Sequence, residues 1–356
     1  MADLKNDIAQ HRTARGWSQE QLARRTSLSR ATISAIETGR VAPSTAAALV
    51  LADAFGSRVE DLFRLAGRAQ RAEPVWAWPA QGHQTRFWRV SVGARTLLYP
   101  VERTAVGVLP AHGIIKAGAV EIHEHTDPTQ SLVLAGCDPA VGLLHVELRR
   151  ATKFQLIPVV RSSRQALELL QRGLVHVAGI HLQDQEAPDG NQRAVRKLLG
   201  SGYTLIRVTR WQDGVALSPS LRIRTIKEAL SARLRWVARE KGSGARHCLE
   251  AIFRGRRRAP DAFQHVATDH AGVVEAIRTG WAQAGVCVRL PAAEAGLDFL
   301  VAREEDYDLC YRSDLEHDPR IQALVRAIHS QTFRRSLDEL PGYSATLTGE
   351  QTHVRG

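Results

Sequence analysis

Three short polar turns bring together residue types that bind an anion: Gly136-Cys137-Asp138, Ser162-Ser163, and Ser243-Gly244 followed by Arg246. Each follows an apolar run that reads as a buried strand (Leu132 to Ala135, Leu156 to Val160, Leu234 to Ala238) and precedes a helical pattern. A helix opening at such a turn presents free N–H groups and the positive end of its dipole, so each turn can cradle an oxyanion. Ser163 and Ser243 add hydroxyl donors, and Arg246 adds a guanidinium. The same serines also suit helix caps, and Asp138 suits capping better than binding because a carboxylate repels an anion.

Histidines offer a second kind of chemistry. His176 and His181 bracket the run Val177 to Ile180, and alternation sets them on opposite faces. His181, at the strand's C-terminal end, is the candidate ligand contact, and His176 is a candidate core imidazole. Glu121, His123 and His125 share one face of a short strand pattern and form a weak three-ligand metal candidate, which a solvated edge explains equally well. A Ser-His-Asp set can be drawn from Ser163 or Ser243, His181 or His270, and Asp184 or Asp269. With 14 histidines in the chain, chance supplies such sets, and no Gly-x-Ser-x-Gly, Walker or His-Glu-x-x-His motif appears. The expectation is a protein that is not an enzyme and requires no cofactor.

The front of the chain carries different elements. A helix is predicted from about Leu4 to Thr13. Ser18 caps a second helix that buries Leu22 and Ala23, and Ser27 or Ser29 caps a third with Ile33 and Ile36 on one face. Thr26-Ser27-Leu28 is the tight turn between them, with Leu28 plugging the corner. Pro43-Ser44 opens a further helix, and Val59 to Phe63 closes the bundle. Over about Leu4 to Leu65 this pattern resembles the phage-repressor-like (XRE) helix-turn-helix family. The resemblance implies that double-stranded operator DNA is a partner. Ser29, Arg30, Thr32 and Ser34 would face the major groove, with Arg30 as base reader, Gln19 on a phosphate, and Arg15 and Arg40 adding backbone contacts. Glu37 is expected to pair with Arg12, because an acidic group gains little beside phosphate.

Composition bounds the remainder. A chain of 356 residues with 44% hydrophobic content can fill two or three cores. It contains no apolar run of membrane-spanning length, and its polar first helix follows Met1 directly, so neither a membrane partner nor a secretory peptide is expected. Cys137, Cys248, Cys287 and Cys310 are scattered and form no CxxC pair, as in reduced thiols of a cytoplasmic protein. The net charge of +11 suits nucleic acid, yet the first 73 residues hold 11 Lys and Arg against 8 Asp and Glu. Most of the excess therefore lies outside the DNA reader.

Residues 67–127 read as a polar linker and a small β-rich connector with strands near 75–79, 86–90, 95–99 and 118–122. Its tryptophans suit core packing better than base stacking. From Ser131 onward strands alternate with helices in two rounds, the pattern of two α/β lobes facing a cleft, with crossings near Tyr203 to Val208 and Phe299 to Tyr311. Leu134 to Leu144, His176 to Leu182, Gly242 to Arg246 and Tyr307-Asp308-Leu309 together resemble the periplasmic-binding-protein-like domain of cytoplasmic regulators, which is similar to molybdate and tungstate binding proteins. Where relatives often have Gly-Asn-Pro and Asn-Arg-Gln, this chain has Leu217-Ser218-Pro219-Ser220 and Arg239-Glu240-Lys241.

The expected organisation is multidomain. It comprises an all-α helix-turn-helix bundle (1–66), the connector (67–127), a two-lobed α/β type II periplasmic-binding-protein-like domain (128–345) and a C-terminal tail (346–356). The resemblances imply a ligand-responsive regulator, expected to be a homodimer, whose small-molecule effector is anionic, with molybdate or tungstate first. An organic acid or molybdenum-cofactor-like compound is the alternative, followed by a metal and, last, a substrate. Its ligand contacts would be Gly136, Cys137, Ser162, Ser163, His181, Ser243, Gly244 and Arg246.

Overall fold

The computed structural model describes residues 4–57, 59–65, 75–80, 84–116, 119–123, 127–182, 189–255, 263 and 265–355. The chain divides into two compact units, Met1–Glu73 and Pro74–Gly356.

In the first unit, α1 (Ile8–Ala14) is followed by α2 (Gln19–Thr26), α3 (Arg30–Glu37), α4 (Thr45–Phe55) and α5 (Val59–Leu62). Ser18, Ser29 and Ser44 start the middle three, each accepting the N–H of the third residue onward. Ser27 takes a φ of 53°, the left-handed conformation that ends α2 and turns the chain into α3. Ile8, Leu22, Ile33, Ile36, Leu51, Phe55 and Leu62 form the core, and the half-buried Leu28 packs against it. The predicted first helix begins four residues late. Leu4–Asn6 is instead a strand, β1, paired with Phe63–Leu65, β2, and Asn6 Nδ2 donates to Ile36 O at 2.7 Å. Leu4 thus reaches the core from a strand closed by a partner at the far end of the bundle.

The second unit opens with a five-stranded sheet of β3 (Val75–Trp76), β4 (Gln84–Val92), β5 (Arg95–Pro100), β6 (Gly113–Lys116) and β7 (Ala119–Ile122), in the order β3-β5-β4-β6-β7. Trp88, Val90, Leu97 and Tyr99 share one core with Val133, Ile157, Leu167 and Leu170 of the main domain. Tyr99 Oη donates to Leu174 O at 2.7 Å, which fixes the small sheet onto the first lobe. The connector is therefore an integral layer of the main domain, and its aromatic side chains are packing residues.

The main sheet has ten strands: β8 (Ser131–Gly136), β9 (Gln155–Val160), β10 (Val177–Ile180), β11 (Tyr203–Leu217), β12 (Trp236–Arg239), β13 (His265–Ala267), β14 (Ala284–Val288), β15 (Asp298–Arg312), β16 (Tyr343–Ser344) and β17 (Gln351–Val354). Their order is β13-β12-β14-β11-β15-β10-β8-β9, with β16 and β17 on β11. β8 pairs in parallel with β9 and β10 to form the first lobe, and β12 pairs in parallel with β13 and β14 to form the second. All six residues of β8 are buried, as helices on both faces require.

The expected crossings are longer than their apolar runs suggested. β11 and β15, of 15 residues each, pair antiparallel from Tyr203↔Arg312 to Leu217↔Asp298 and traverse both lobes. Bulges between Arg207 and Thr209 and between Asp213 and Gly214 bend this ladder at its middle. The stretch expected to be a tail supplies β17, with Val354 opposite Tyr203. Among the described residues no helix is long and apolar enough to cross a membrane.

Candidate ligand cavity and DNA-reading helix

Between the lobes lies a cavity of about 750 Å³. The first lobe contributes Leu134, the turn Gly136–Pro139, Arg161 and Gln165. The second contributes Glu240 and Thr268–Ala271, and the loop after β5 adds a third wall with Glu102–Ala105. Two helices start at this cavity, α6 (Val141–Ala151) from the first lobe and α11 (His270–Arg278) from the second.

Internal partners occupy the carboxylates that line it. Glu102 makes a two-pronged pair with Arg161 at 2.8 and 3.1 Å. Asp269 accepts the Gly272 N–H that starts α11. Asp138 accepts from Ala140 N and from Tyr343 Oη at 2.9 and 2.8 Å, and burial pushes its carboxyl up to about 6. Glu240 accepts two hydrogen bonds from the wholly buried Arg239, at 2.9 and 3.0 Å, and Arg239 also donates to Thr268 O. Arg103, exposed at the cavity wall, has no hydrogen bond or ion pair to another described residue.

Buried N–H donors around this cavity lack partners among the described residues: Arg239 Nη1, Trp211 Nε1 and His270 Nε2. Arg239 sits against the cavity-lining Thr268, and Trp211 stacks on the cavity-lining Tyr307 with ring centroids 4.7 Å apart. His270 lines the cavity itself. Its Nδ1 accepts the Val288 N–H at 3.3 Å, which leaves the proton on Nε2. Burial, then the charges of Arg239 and His181, hold His270 well below the ordinary imidazole range, so the ring is neutral.

Behind the Cys137 turn runs a buried polar chain. Cys137 Sγ lies 3.2 Å from His181 Nε2, and His181 Nδ1 lies 2.9 Å from Glu305 Oε2. Arg303 pairs with the other Glu305 oxygen and lies 3.8 Å from Asp213. Burial would lower the His181 pKa, but the Cys137 sulfur and the Glu305 carboxylate outweigh it and raise the imidazolium to about 10. Burial and the Glu305 charge push Asp213 up to about 7 against the pull of Arg303.

The predicted ligand residues fall into two groups. Gly136 and Cys137 line the cavity. Ser162, Ser163, His181, Ser243, Gly244 and Arg246 stand behind its surface and hold the frame. Ser162 and Ser243 cap α7 (Ser163–Gln171) and α10 (Gly244–Ile252). Ser163 Oγ accepts the His181 N–H at 3.1 Å, and Arg246 Nε donates to Glu250 at 2.6 Å. A β-carbon at Gly244 would collide with His181 Nδ1 and its carbonyl, which explains the glycine there. In the weak metal candidate, Glu121 pairs with Lys116 at 3.6 Å and His123 Nδ1 meets Ala111 O at 3.0 Å, while His125 lies outside the described residues.

Sequence reasoning did not count Arg239, His270, Glu305 or the Glu102–Ala105 loop among the ligand candidates. Asp269 did carry a signal, since it follows a strand and caps a helix as the nominated turns do. Arg239 lies in a strand whose four residues are all buried, where pattern alone predicts an apolar side chain.

In the first unit, Arg30 is exposed at the start of α3 and has no hydrogen bond or ion pair to another described residue. Ser29 caps that helix, and its hydroxyl meets Thr32 Oγ1 at 2.8 Å. Ser34 is half-buried, and its carbonyl accepts from Thr38. Arg12 bonds Glu37 at 2.7 Å, as expected, and Gln19 Nε2 also donates to Glu37 at 2.8 Å. Arg15 donates to Phe55 O at 2.6 Å, and Arg40 donates to Thr38 Oγ1 at 3.0 Å.

A capped helix-turn-helix joined to a two-lobed α/β domain with an interlobe cavity is the organisation of a ligand-sensing transcription regulator. Residues 146–329 match the PBP superfamily domain and residues 8–62 match the helix-turn-helix model, so the chain belongs to the periplasmic-binding-protein-like family and carries an XRE-type DNA-binding domain. It is 24% identical to the uncharacterized protein YvgK of Bacillus subtilis over 230 residues, 63% of this chain and 74% of that protein. Its front is 40% identical over 60 residues to the HTH-type transcriptional regulator MJ0272 of Methanocaldococcus jannaschii, covering 17% of this chain and 91% of that one. The tungstate binding protein TupA of Desulfovibrio alaskensis is similar in fold at 12% identity and a TM-score of 0.42, over 60% of this chain and 98% of that structure.

Proposed function

We propose that this regulator senses a small anionic molecule bound between the lobes, and that occupancy of the cavity changes the affinity of a homodimer for operator DNA. The observation that carries the anionic character is the set of buried N–H donors without partners, Arg239 Nη1, Trp211 Nε1 and His270 Nε2. A buried donor left unpaired costs about 1–3 kcal/mol, and an anion's oxygen atoms relieve that cost where a cation or a hydrocarbon does not. The start of α11 adds its dipole to the same wall.

Molybdate and tungstate are the first named candidates. The volume of about 750 Å³ favours a larger anion, an organic acid or a molybdenum-cofactor-like compound, because it falls in the range of organic-ligand sites. Calorimetric titration of the full chain with molybdate, tungstate, sulfate, phosphate and a set of small organic acids tests both. Binding of an anion that weakens by roughly ten- to hundredfold in Arg239→Gln supports the reading. Saturation by a neutral ligand with no response to any anion defeats it.

For the DNA side, Arg30→Ala is expected to cost about 1–3 kcal/mol in operator binding and to relax preference at one base-pair position. Competition among single-base operator variants measures this. A uniform loss across all variants makes Arg30 a phosphate contact.

A further inference from the structure

The polar chain behind the cavity surface contains more than an anion site needs. Cys137 lines the cavity, with its Sγ 3.2 Å from His181 Nε2 and the opposite ring nitrogen 2.9 Å from Glu305. A thiol beside an imidazole that a carboxylate orients is an activated nucleophile. His270 supplies an independent feature at the same place: its ring lies with Cys137 and His181 in a cluster whose donor atoms fall within 4.8 Å of one another, and its buried Nε2 has no partner among the described residues.

Those same three residues could be taken for a metal site, but the hydrogen bonds oppose it. His270 Nδ1 already accepts the Val288 N–H, so ligation through Nε2 would turn two N–H groups against each other. The fully buried Arg239 cation also acts on both Cys137 and His270. The cluster therefore presents a sulfur faced by N–H donors.

We propose that Cys137 is a nucleophilic thiol that captures an electrophilic ligand of the cavity in a reversible covalent bond, with His181 as its base, Glu305 positioning His181, and His270 donating to the adduct's oxygen. For an aldehyde acid, with the Sγ proton already held by the His181 imidazolium, a sulfur lone pair forms the Sγ–C bond as the carbonyl π bond breaks. The oxygen then takes the proton back from His181. The hemithioacetal contains every atom of thiol and aldehyde, and nothing is oxidised or reduced. Only the placing of the ligand's carboxylate rests on the anion-sensing reading; the thiol chemistry does not.

The test is residue-resolved alkylation of the full chain with iodoacetamide across pH, followed by mass spectrometry. Cys287 and Cys310 serve as internal references, because both are buried, burial raises their pKa values, and Glu305 does not act on either. Cys137 is expected to react at least about tenfold faster than these near pH 7. Glu305→Gln and His181→Gln are expected to slow Cys137 and move its pH profile upward while the reference rates stay unchanged, which also reports that the fold is intact. Glyoxylate should protect Cys137 reversibly, and acetate should not. Four results would each overturn the proposal: a Cys137 as slow as the references, a rate indifferent to Glu305→Gln, no protection by glyoxylate, or a rate that rises on adding EDTA. Failure of the anion reading shows separately, in titrations with molybdate, tungstate, sulfate and phosphate, which carry no electrophilic carbon.

Discussion

His176 and His181 stand at the two ends of β10, both wholly buried, yet they hold opposite charge states. His176 receives the Val133 N–H on Nδ1 and meets the Ser91 carbonyl with Nε2, each at 3.0 Å. Both partners are neutral backbone groups, so burial dominates and lowers the ring to about 4. It joins the first lobe to the small sheet as an uncharged bridge. His181, a few residues on, lies between the Cys137 sulfur and the Glu305 carboxylate, and its imidazolium is raised to about 10. Equal burial thus gives a structural histidine at one end and a chemical one at the other, because the partner groups decide which form is stable.

The largest expected effect sharpens this contrast through pH. His181 has a folded pKa above its unfolded value, so its contribution to stability is complete below pH 6.5 and lost as pH rises through about 10. The loss should be on the order of 4 kcal/mol, and denaturant unfolding of wild type and Glu305→Gln between pH 7 and 10 should show it shrinking in the variant. Equal slopes in the two proteins would place the stabilising charge elsewhere.

His176 predicts the opposite sign. Its folded pKa is depressed, so stability is complete above pH 6.5 and falls as pH drops through about 4, by about 3 kcal/mol. Asp138, raised to about 6, acts in an overlapping window with the reverse sign, its contribution fading as pH rises from about 4 to 6. The measurement is therefore the difference between wild type and His176→Gln at each pH. A difference that does not vary from pH 7 to 4 would break the comparison.

Crowding around His181 gives the next prediction. Gly244→Ala puts a methyl group against the His181 ring and should cost about 1–3 kcal/mol in thermal unfolding. Gly200→Ala, with open space around it but a φ of +86°, reports backbone strain alone and serves as the control. The smallest effect is expected at the cavity mouth. Arg103 is exposed, so Arg103→Ala should weaken anion binding by about 1 kcal/mol or less and leave unfolding unchanged. A loss as large as that of Arg239→Gln would move the centre of binding out to the small-sheet loop.

The DNA reader was the most legible region, because its signals are local. Ser18, Ser29 and Ser44 cap helices whose apolar positions recur on one face, and each cap involves only residues three apart. Even the Arg12–Glu37 pair was readable from charge alone. The exception, Leu4–Asn6, depends on a partner strand at the far end of the bundle, which periodicity cannot show. In the second unit, strand and helix alternation revealed the two lobes, and the Gly136-Cys137 turn singled out from the sequence lies at the cavity wall. Arg246, equally plausible by residue type, is bonded to Glu250 four residues on along its own helix.

The sequence by itself determined those features that depend on neighbours along the chain: the caps, the apolar faces, the alternation of strands with helices, and the face of β10 on which each histidine lies. Tertiary structure alone decided the chemistry of the cavity. Cys137, His181, Arg239, His270 and Glu305 come from different segments, and the crossing of β11 and β15 between the lobes brings those segments together. Protonation and hydrogen-bond satisfaction depend on distance and burial in space, and neither is written in the spacing of residues along a chain.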